Sequence, residues 1–411
     1  MARSRIYSGS ILVLGIVQLI ESIAFSIPYS YFPNYAISLG ASVALIGLFT
    51  SAFMLSMALL SPKLGSLSDR IGRKKIIVWG LFGDVVLGIL TGLAPDWIWL
   101  LLIRVLNGAG TAAAMLPSEA LLIDLASEHR RGEASGFVLG MGMIGRSVGP
   151  AFGGFIQWTA QSAGLSIVDS YRVPYFADSL LALLALALVA WKIREPRHVV
   201  KDPEIHLANT KPVNIKLSPS VKVLLFTSFV SGIGVGFIAP ISVLFYNDKF
   251  GIEPIEIGSV ITLTGFVGIG ASWLAGRISD KIGRKPMIAL GGIGARISTI
   301  VLPLTYDINQ AVIVMSLRSI GFNLLMPASR ALRADIVPAE SRGRIFGMFT
   351  TAFTAGNIAG PIVATWLYDI YRFETVNILG FPFPGYGISF LIYSIIGITS
   401  VILILAFVRH R

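Results

Sequence analysis

The chain has 411 residues, of which 54% are hydrophobic and only 13% are charged. Soluble globular domains carry about 25% charged residues, so this composition excludes an ordinary soluble protein and indicates an all-α protein that crosses a membrane many times. The net charge of +11 is not taken to indicate a nucleic-acid partner, because of how the basic residues are distributed along the chain. The absence of cysteine excludes a thiolate metal site. Four histidines without a ligand-like spacing predict no metal and no cofactor.

Apolar runs separated by polar residues predict twelve membrane spans, because a span needs about 20 apolar residues. The first six lie roughly at 10–36, 43–62, 76–94, 97–122, 134–159 and 173–193. The other six lie roughly at 221–246, 254–275, 287–305, 309–332, 344–369 and 385–408. The proline-containing polar stretch 195–220 is predicted to be a cytoplasmic linker between an N-terminal bundle (1–194) and a C-terminal bundle (221–411).

The basic residues are distributed unevenly between the two sides of this topology. Of the 33 lysines and arginines, 26 fall at the termini or in alternate loops that share one side. Three fall on the other side and four within spans. Positive loops face the cytoplasm, so the pattern predicts a multi-pass protein of the cell membrane with both termini cytoplasmic. The positive charge is therefore assigned to topology.

The two halves repeat one another at an offset of 211 residues. The ten-residue motif that begins at Gly65 recurs from Gly276 with its acid and both glycines in place. The same offset relates Gly40 to Gly251, Gly47 to Gly258, Asp124 to Asp335, and Gly149-Pro150 to Gly360-Pro361. Tandem duplication around a linker is the construction of many alternating-access transporters.

The repeated motif predicts a structural latch between helices. Gly65 and Gly72 are expected to let the chain turn tightly between two spans, and Asp69 to lie near the positive end of a helix. Arg73 is expected to pair with Asp124 at the end of another span. The second half supplies the equivalent set, which is Gly276, Asp280, Arg284 and Asp335. A basic loop that serves only topology is the alternative.

The motif Gly65–Lys74 resembles the G-x-x-x-D-R-x-G-R-K signature of the major facilitator superfamily, and the second copy differs from the signature at Lys281. The resemblance covers essentially the whole chain. It implies two six-helix bundles related by a pseudo-two-fold axis, with substrate held between them near mid-membrane. It also implies that the motif locks the cytoplasmic gate shut in the outward-facing state.

Two further segments resemble motifs of this superfamily. Arg104–Gly110 is similar to the R-x-x-Q-G-x-G motif implicated in proton transfer, with Asn107 in place of glutamine. An arginine inside an apolar span costs about 2.5–3.5 kcal/mol on insertion scales, which predicts a functional role; a hydrogen-bonding hub is the alternative.

The fifth span resembles the G-x-x-x-G-P-x-x-G-G signature associated with proton-coupled exporters. Its glycines recur every four residues and predict a smooth helix face along which the two halves slide. The motif residues are Gly145, Gly149, Pro150, Gly153 and Gly154. Arg146, inside this motif, is unusual for a pocket that prefers cations.

Few acids fall inside spans. Glu21 lies in apolar surroundings that disfavour a charged carboxylate, which suits reversible protonation; a static ion pair with Arg104 is the alternative. Glu119 is predicted to line a gate, Asp84 to be structural, and Asp178 to lie near a span boundary. The aromatic run 29–35 is assigned to the membrane interface, with pocket lining as the alternative.

These features predict a monomeric proton-coupled antiporter, similar to drug–proton antiporters of the superfamily, that exports a small amphipathic or hydrophobic compound. Its expected partners are the substrate, protons and the lipid bilayer. Transport of a sugar, an organic anion or a lipid is the alternative. An intramembrane enzyme or a receptor is disfavoured, because the buried charges form no catalytic constellation and no soluble output domain is visible.

Overall fold

The structure is a computed structural model that describes residues 9–193, 195, 217–338 and 341–408. Most of the predicted linker lies outside the described residues. The helices of the first half are α1 (Ser10–Ser26), α2 (Phe32–Ser38), α3 (Ile46–Ile71), α4 (Arg73–Gly92), α5 (Trp97–Leu125), α6 (Arg131–Ser162) and α7 (Ile167–Lys192). Those of the second half are α8 (Pro219–Phe250), α9 (Pro254–Ile282), α10 (Arg284–Val301), α11 (Ile308–Ile336), α12 (Arg342–Tyr371) and α13 (Ile388–Phe407).

Successive spans run in opposite directions, so that the turns gather at two ends of the molecule. One end, here called the loop end, carries the α3–α4 and α9–α10 turns. There the Lys74 ammonium donates a hydrogen bond to the Ala190 carbonyl at the end of α7. The opposite end carries the α2–α3 and α4–α5 turns, which are joined by a bond from the Trp97 amide to the Leu39 carbonyl. The first span consists of α1 and α2, which are joined by a 3-10 turn at Ile27–Ser30.

The helix boundaries repeat with the offset that relates the sequence motifs. Helices α3 and α9 end at Ile71 and Ile282, and α5 and α11 cover Trp97–Leu125 and Ile308–Ile336. Each of these boundaries is 211 residues from its counterpart. The predicted duplication is therefore a duplication of structure as well as of sequence.

Ten helical segments of the described chain are long and apolar enough to cross a membrane. The remaining long helices, α6 and α12, carry the duplicated Gly-Pro motif. Repeated glycines, together with serine and glutamine in α6 and with threonine and asparagine in α12, lower the hydropathy of both helices. Since α5 ends at the loop end and α7 begins at the opposite end, α6 has to cross between them, and α12 does the same in the second half.

The helices extend beyond the predicted spans, and this corrects one prediction about the repeated motif. Gly65 lies inside α3 and Gly276 inside α9, so neither forms a turn. Hydropathy marks where a helix leaves the membrane, whereas the polar residues that follow continue the helix into water. The turns are single residues, Gly72 with φ 107° and Gly283 with φ 96°, a backbone conformation that favours glycine.

A short antiparallel hairpin that was not predicted follows α12 at the opposite end. It consists of β1 (Thr375–Ile378) and β2 (Phe381–Pro384). Leu379 in its turn is 95% exposed and has a positive φ of 51°. The final span consequently begins at Ile388, slightly later than expected.

The two halves touch at the opposite end through the same contact made twice. Gly47 of α3 lies against the backbone carbonyl of Pro361 of α12, and Gly258 of α9 lies against the carbonyl of Pro150 of α6. A Cβ atom at either glycine would overlap the carbonyl group. Thr365 adds a further link by accepting from the Gly47 amide at 3.1 Å and donating to the Ala44 carbonyl at 2.9 Å. The halves are therefore in backbone contact at this end.

The same helices are surrounded by open space toward the loop end. In the described part of the chain, no atom outside the local helix backbone lies within 4 Å of where a Cβ would stand on Gly65 of α3, on Gly136 of α6 or on Gly347 of α12. Farther toward the opposite end, the Ser51 hydroxyl of α3 donates to the Ile358 carbonyl of α12 at 2.6 Å. The conformation is thus closed at the opposite end and open at the loop end.

Replacement of Gly47 by leucine is expected to force the halves apart at the opposite end. Overpacking at a tight contact costs about 1–3 kcal/mol, and each ~1.4 kcal/mol changes a two-state equilibrium about tenfold. Distances between spin labels at the opposite end should lengthen in Gly47→Leu and stay unchanged in Gly65→Leu, whose position is open. Identical distance distributions in both variants would contradict a backbone contact at Gly47.

Candidate functional site: a carboxyl cluster in the first half

Three acids from three helices come together inside the first half. Glu21 of α1, Asp84 of α4 and Asp178 of α7 form what is here named the carboxyl cluster. Glu21 interacts electrostatically with both aspartates, which also interact with each other, and its Oε1 atom is buried without a hydrogen-bond partner. Like charges repel strongly in a low-dielectric interior, so simultaneous ionisation of the three groups is disfavoured.

Two glycines of α5 explain how Asp84 reaches this place. Gly108 packs against the α3 backbone at Phe53, and Gly110 leaves room on the other side for Asp84, whose Oδ1 is 2.8 Å from where a Cβ would stand. Gly88 of α4 makes similar room, with Asp178 Oδ2 3.3 Å from its Cβ position. The Gly-x-Gly part of the α5 motif therefore shapes the cluster. Sequence reasoning missed this, because it depends on how three helices are rotated.

Arg104 lies beside the cluster and makes no ion pair with Glu21. Its guanidinium carbon stands 4.0 Å from the centre of the Phe32 ring, and its Nε is buried without a partner. It interacts electrostatically with Asp178. The static Glu21–Arg104 pair considered from the sequence is thus absent, since the stacking on Phe32 holds the guanidinium elsewhere. Asn107 is only partly buried, one turn further along α5.

The aromatic run of the first span belongs mainly to the core of this half. Tyr31 and Tyr35 are fully buried, and Tyr31 stacks on Tyr171 with ring centres 5.8 Å apart. The assignment of this run to the membrane interface was therefore wrong for these two residues, because the bend at Pro28 turns them inward. Tyr29 is 45% exposed and interacts with both Arg104 and the exposed Arg146.

The glycine stripe of α6 packs inside its own half, which corrects the predicted sliding face. Gly145, Gly149 and Gly153 lie against the backbone of α1 from Leu19 to Ile27. Only Pro150 and Gly154 face the other half; Gly154 lies against Pro254 at the start of α9. Glycines spaced four residues apart lie on one face of a helix, and here that face allows α1 and α6 to approach closely.

The ion pair predicted at the loop end is present in both halves. Arg73 contacts Asp124 at 2.8 Å and Asp69 at 3.6 Å. Arg284 contacts Asp335 at 3.8 Å. The side chain of Asp280 and position 276 lie outside the part of the molecule whose side chains are described. Each pair joins two helices of one half, and none of these described pairs spans the two halves.

A further contact at the loop end was not anticipated. Glu195, which sequence reasoning placed in the linker, accepts hydrogen bonds from the Arg73 amide at 2.8 Å and the Lys74 amide at 2.9 Å. A carboxylate at a helix N-terminus accepts hydrogen bonds from the free amides and interacts favourably with the positive end of the helix dipole. It ties the end of α7 to the start of α4. In the second half, Lys285 donates to the Leu405 carbonyl of α13 at 3.1 Å, matching Lys74 in the first.

Glu119 lies apart from the carboxyl cluster. It is exposed on α5 toward the loop end. Its role at a gate stays a prediction. In the described part of the chain, no group of three or more histidine, aspartate or glutamate side chains could hold a metal ion.

The sequence profile of the Major Facilitator Superfamily matches residues 14–219 and 224–411. The chain belongs to this superfamily. The resemblance drawn from the Gly65 and Gly276 motifs is thereby confirmed, as are the two pseudo-symmetric six-helix bundles. The family and the fold are those of transporters, and the chain is a multi-pass membrane protein.

Named relatives extend the comparison. Multidrug resistance protein 2 of Bacillus subtilis (strain 168) is 28% identical over 345 residues, which cover 82% of this chain and 83% of the relative. Quinolone resistance protein NorA of Staphylococcus aureus (strain COL) is 24% identical over 340 residues, covering 82% of this chain and 84% of the relative.

Solved structures show the same fold. A bacterial homolog of the human lysosomal transporter Spinster, in an inward-facing and occupied conformation, superimposes with a TM-score of 0.78 at 17% identity, covering 98% of this chain and 96% of the other. A D-xylose–proton symporter superimposes with a TM-score of 0.76 at 17% identity, covering 97% of each chain.

Replacement of Glu195 by alanine is expected to loosen α4 from α7. Two charge-assisted hydrogen bonds would be lost, each contributing about 1 kcal/mol or somewhat more. The apparent melting temperature of the detergent-purified protein should fall, whereas Glu374→Ala, an exposed acid near the hairpin, should leave it unchanged. Equal melting temperatures for Glu195→Ala and the parent would argue against the cap.

Proposed function

We propose that the protein is a proton-coupled exporter of small amphipathic or hydrophobic compounds. The observation that carries the proposal is the carboxyl cluster, a set of mutually repelling acids inside a transporter fold. Neutralisation by protons relieves the repulsion between Glu21, Asp84 and Asp178. One pH unit across the membrane supplies about 1.4 kcal/mol per proton, which suits the uphill movement of a solute without ATP.

The relatives support export of drug-like compounds rather than of sugars. These relatives are named for multidrug and quinolone resistance. The apolar and aromatic side chains beside the cluster, among them Phe25, which is 38% exposed and packs edge-on against Tyr29 at 5.7 Å, suit an amphipathic solute. A sugar site would call for more hydrogen-bonding side chains.

The distribution of charge supports a cytoplasmic loop end. Basic residues are concentrated there, and the opposite end carries few, each engaged locally: Arg172 with Asp169 at 2.9 Å, and Arg372 with Asp248 at 3.7 Å. On this orientation both termini are cytoplasmic and the described conformation faces inward. The monomer is the expected functional unit, with residues 1–194 and 221–411 as its bundles.

On the same orientation, the loop-end motif acts as a latch when the halves close there. In the inward-facing conformation, Arg73 holds Asp69 and Asp124 within its own half, and the Asp69 side chain is 66% exposed. An exposed acid beside a gap is available to a helix end of the other half. The pairs at Arg73 and Arg284 keep the two motifs ordered while the gap is open.

Glu21→Gln is expected to abolish substrate movement driven by a pH gradient, because glutamine cannot exchange a proton. The assay is uptake of a fluorescent quinolone into inverted proteoliposomes, acidic inside, with energy-independent exchange of the quinolone as the measure of folding. Glu119→Gln, at an exposed acid outside the cluster, is the matched control. Full gradient-driven uptake by Glu21→Gln would remove this residue from coupling.

Asp69→Asn is expected to favour the inward-facing conformation. Loss of one exposed charge–dipole contact is worth roughly 0.3–1 kcal/mol, a shift of a few-fold in population. Spin labels at the loop ends of α3 and α12 would report a larger share of long distances at high pH, with Glu374→Gln unchanged. A distribution identical to that of the parent would rule out the latch role of Asp69.

A further inference from the structure

The interior of the second half has the opposite charge character to that of the first. Eight of its nine acids lie at helix ends or in turns: Asp248, Glu253, Glu256, Asp280, Asp307, Asp335, Asp369 and Glu374. The ninth, Glu340, lies outside the described residues. Two arginines nevertheless lie inside its spans, Arg296 of α10 and Arg318 of α11. They interact electrostatically with each other, and no described ion pair joins either of them to a carboxylate.

Arg296 is held in a slot prepared by two glycines. It is only 5% exposed, and its guanidinium carbon stands 4.1 Å from the centre of the Tyr393 ring. A Cβ on Gly397 would overlap Arg296 Nε, and one on Gly234 would lie 3.8 Å from its Nη2. The Tyr393 ring stabilises one face of the guanidinium but accepts none of its N–H groups in the plane. Nε and Nη1 are buried without partners.

The contact between α10 and α11 places Arg318 beside Arg296. Gly321 of α11 lies against Ala295 of α10, with 2.8 Å between the Ala295 amide nitrogen and the Gly321 Cβ position. Arg296 follows Ala295 directly, and Arg318 precedes Gly321 by about one helical turn. Arg318 is only partly buried.

Tyr246 of α8 completes this group of donors. Its side chain is fully buried, its hydroxyl has no hydrogen-bond partner, and it lies near Arg318. Two guanidiniums and a hydroxyl therefore lie near one another, and none of the ion pairs described in the second half involves either arginine of this group. An arginine offers five N–H donors and stays charged, and a buried charge without a counter-charge costs several kcal/mol.

The repeat supports a role in the transport pathway. Arg318 stands at the position that Asn107 occupies in the first half, on the helix equivalent to the one that carries Arg104. Each half thus presents one arginine within the apolar part of this helix, at positions about one turn apart in the repeat. In the first half that arginine lies beside acids; in the second it lies beside another arginine.

We propose that Arg296, Arg318 and Tyr246 form a binding site for the carboxylate of an amphipathic anionic or zwitterionic substrate. The proposal rests on the transport function proposed above and specifies the class of substrate. The guanidinium of Arg318 contacts the carboxylate first, and Arg296 behind it supplies further N–H donors, in keeping with the preference of arginine for carboxylates. The acidic first half exchanges protons, and the basic second half holds the anion.

The test compares a fluorescent quinolone with its methyl ester, which differs by the loss of the carboxylate charge. In the parent protein the acid should bind more tightly than the ester. In Arg318→Gln the dissociation constant of the acid should rise by on the order of tenfold or more, with that of the ester unchanged. Arg318→Lys, which keeps the charge, should retain part of the preference, and Arg330→Gln, at an exposed arginine of the same helix, should behave as the parent.

Arg296→Gln provides a second, more deeply buried variant, assessed by the ester as a measure of folding. Equal loss of acid and ester binding in Arg318→Gln, no loss of either, or no preference for the acid in the parent would overturn the proposal. An acid that binds only until chloride is added, together with stabilisation by chloride alone, would assign the site to a resident halide and overturn it as well. Gradient-driven uptake of the ester tests the transport function separately, because the ester lacks the group that the arginines recognise.

Discussion

The architecture depends on the approach of two helix backbones at two equivalent places, Gly47 against Pro361 and Gly258 against Pro150. Such contacts require a residue without a side chain on one helix, because the backbone carbonyl of the facing proline occupies the space that a Cβ would take. The duplication supplies both residues to both halves, so the contact is made twice with the roles exchanged. This keeps the halves together at one end while they separate at the other.

Electrostatic asymmetry is imposed on this symmetric scaffold. The glycines that bring α4 to α5 and α10 to α11, Gly110 and Gly321, are equivalent in the repeat. The residues placed beside them are not: Asp84 in the first half and Ala295, which Arg296 follows directly, in the second. A low-dielectric interior magnifies this difference, because each charge is felt with little screening. Duplication therefore accounts for the shape of the two halves, and later substitutions account for their separate chemistry.

The features that were predictable from the sequence are those set by local pattern or by the repeat. Twelve spans followed from hydropathy, and the Arg73–Asp124 pair followed from two helix ends expected on the same side. The turn at Gly65 was wrong because the residues from Ser66 to Ile71 favour a helix as readily as a loop, and only the φ of Gly72 marks the end. The contact of Glu195 with α4 could not be foreseen, since the polarity of its segment resembles that of any linker.

The gathering of Glu21, Asp84 and Asp178 was out of reach for a different reason. Each acid was visible in its span, but their meeting depends on the rotation of three helices about their axes. The glycine stripe of α6 illustrates the same point, because its spacing predicts a smooth face without saying which neighbour fills it. Gly145 and Gly153 turn toward α1, whereas Gly154, one residue on, turns toward α9.

The single-residue turn at Gly72 has a mechanical consequence. Only Gly72 separates the end of α3 at Ile71 from the start of α4 at Arg73, and Glu195 ties α4 to α7. Helix α3 therefore cannot tilt independently of its half. It rotates together with its half about the Gly47 contact, which lies near one end of the helix. The 24 residues from Gly47 to Arg70 span about 36 Å. A tilt of about 10° at the Gly47 contact would move the far end of α3 by about 6 Å. A small rotation at one membrane surface therefore produces a wide opening at the other.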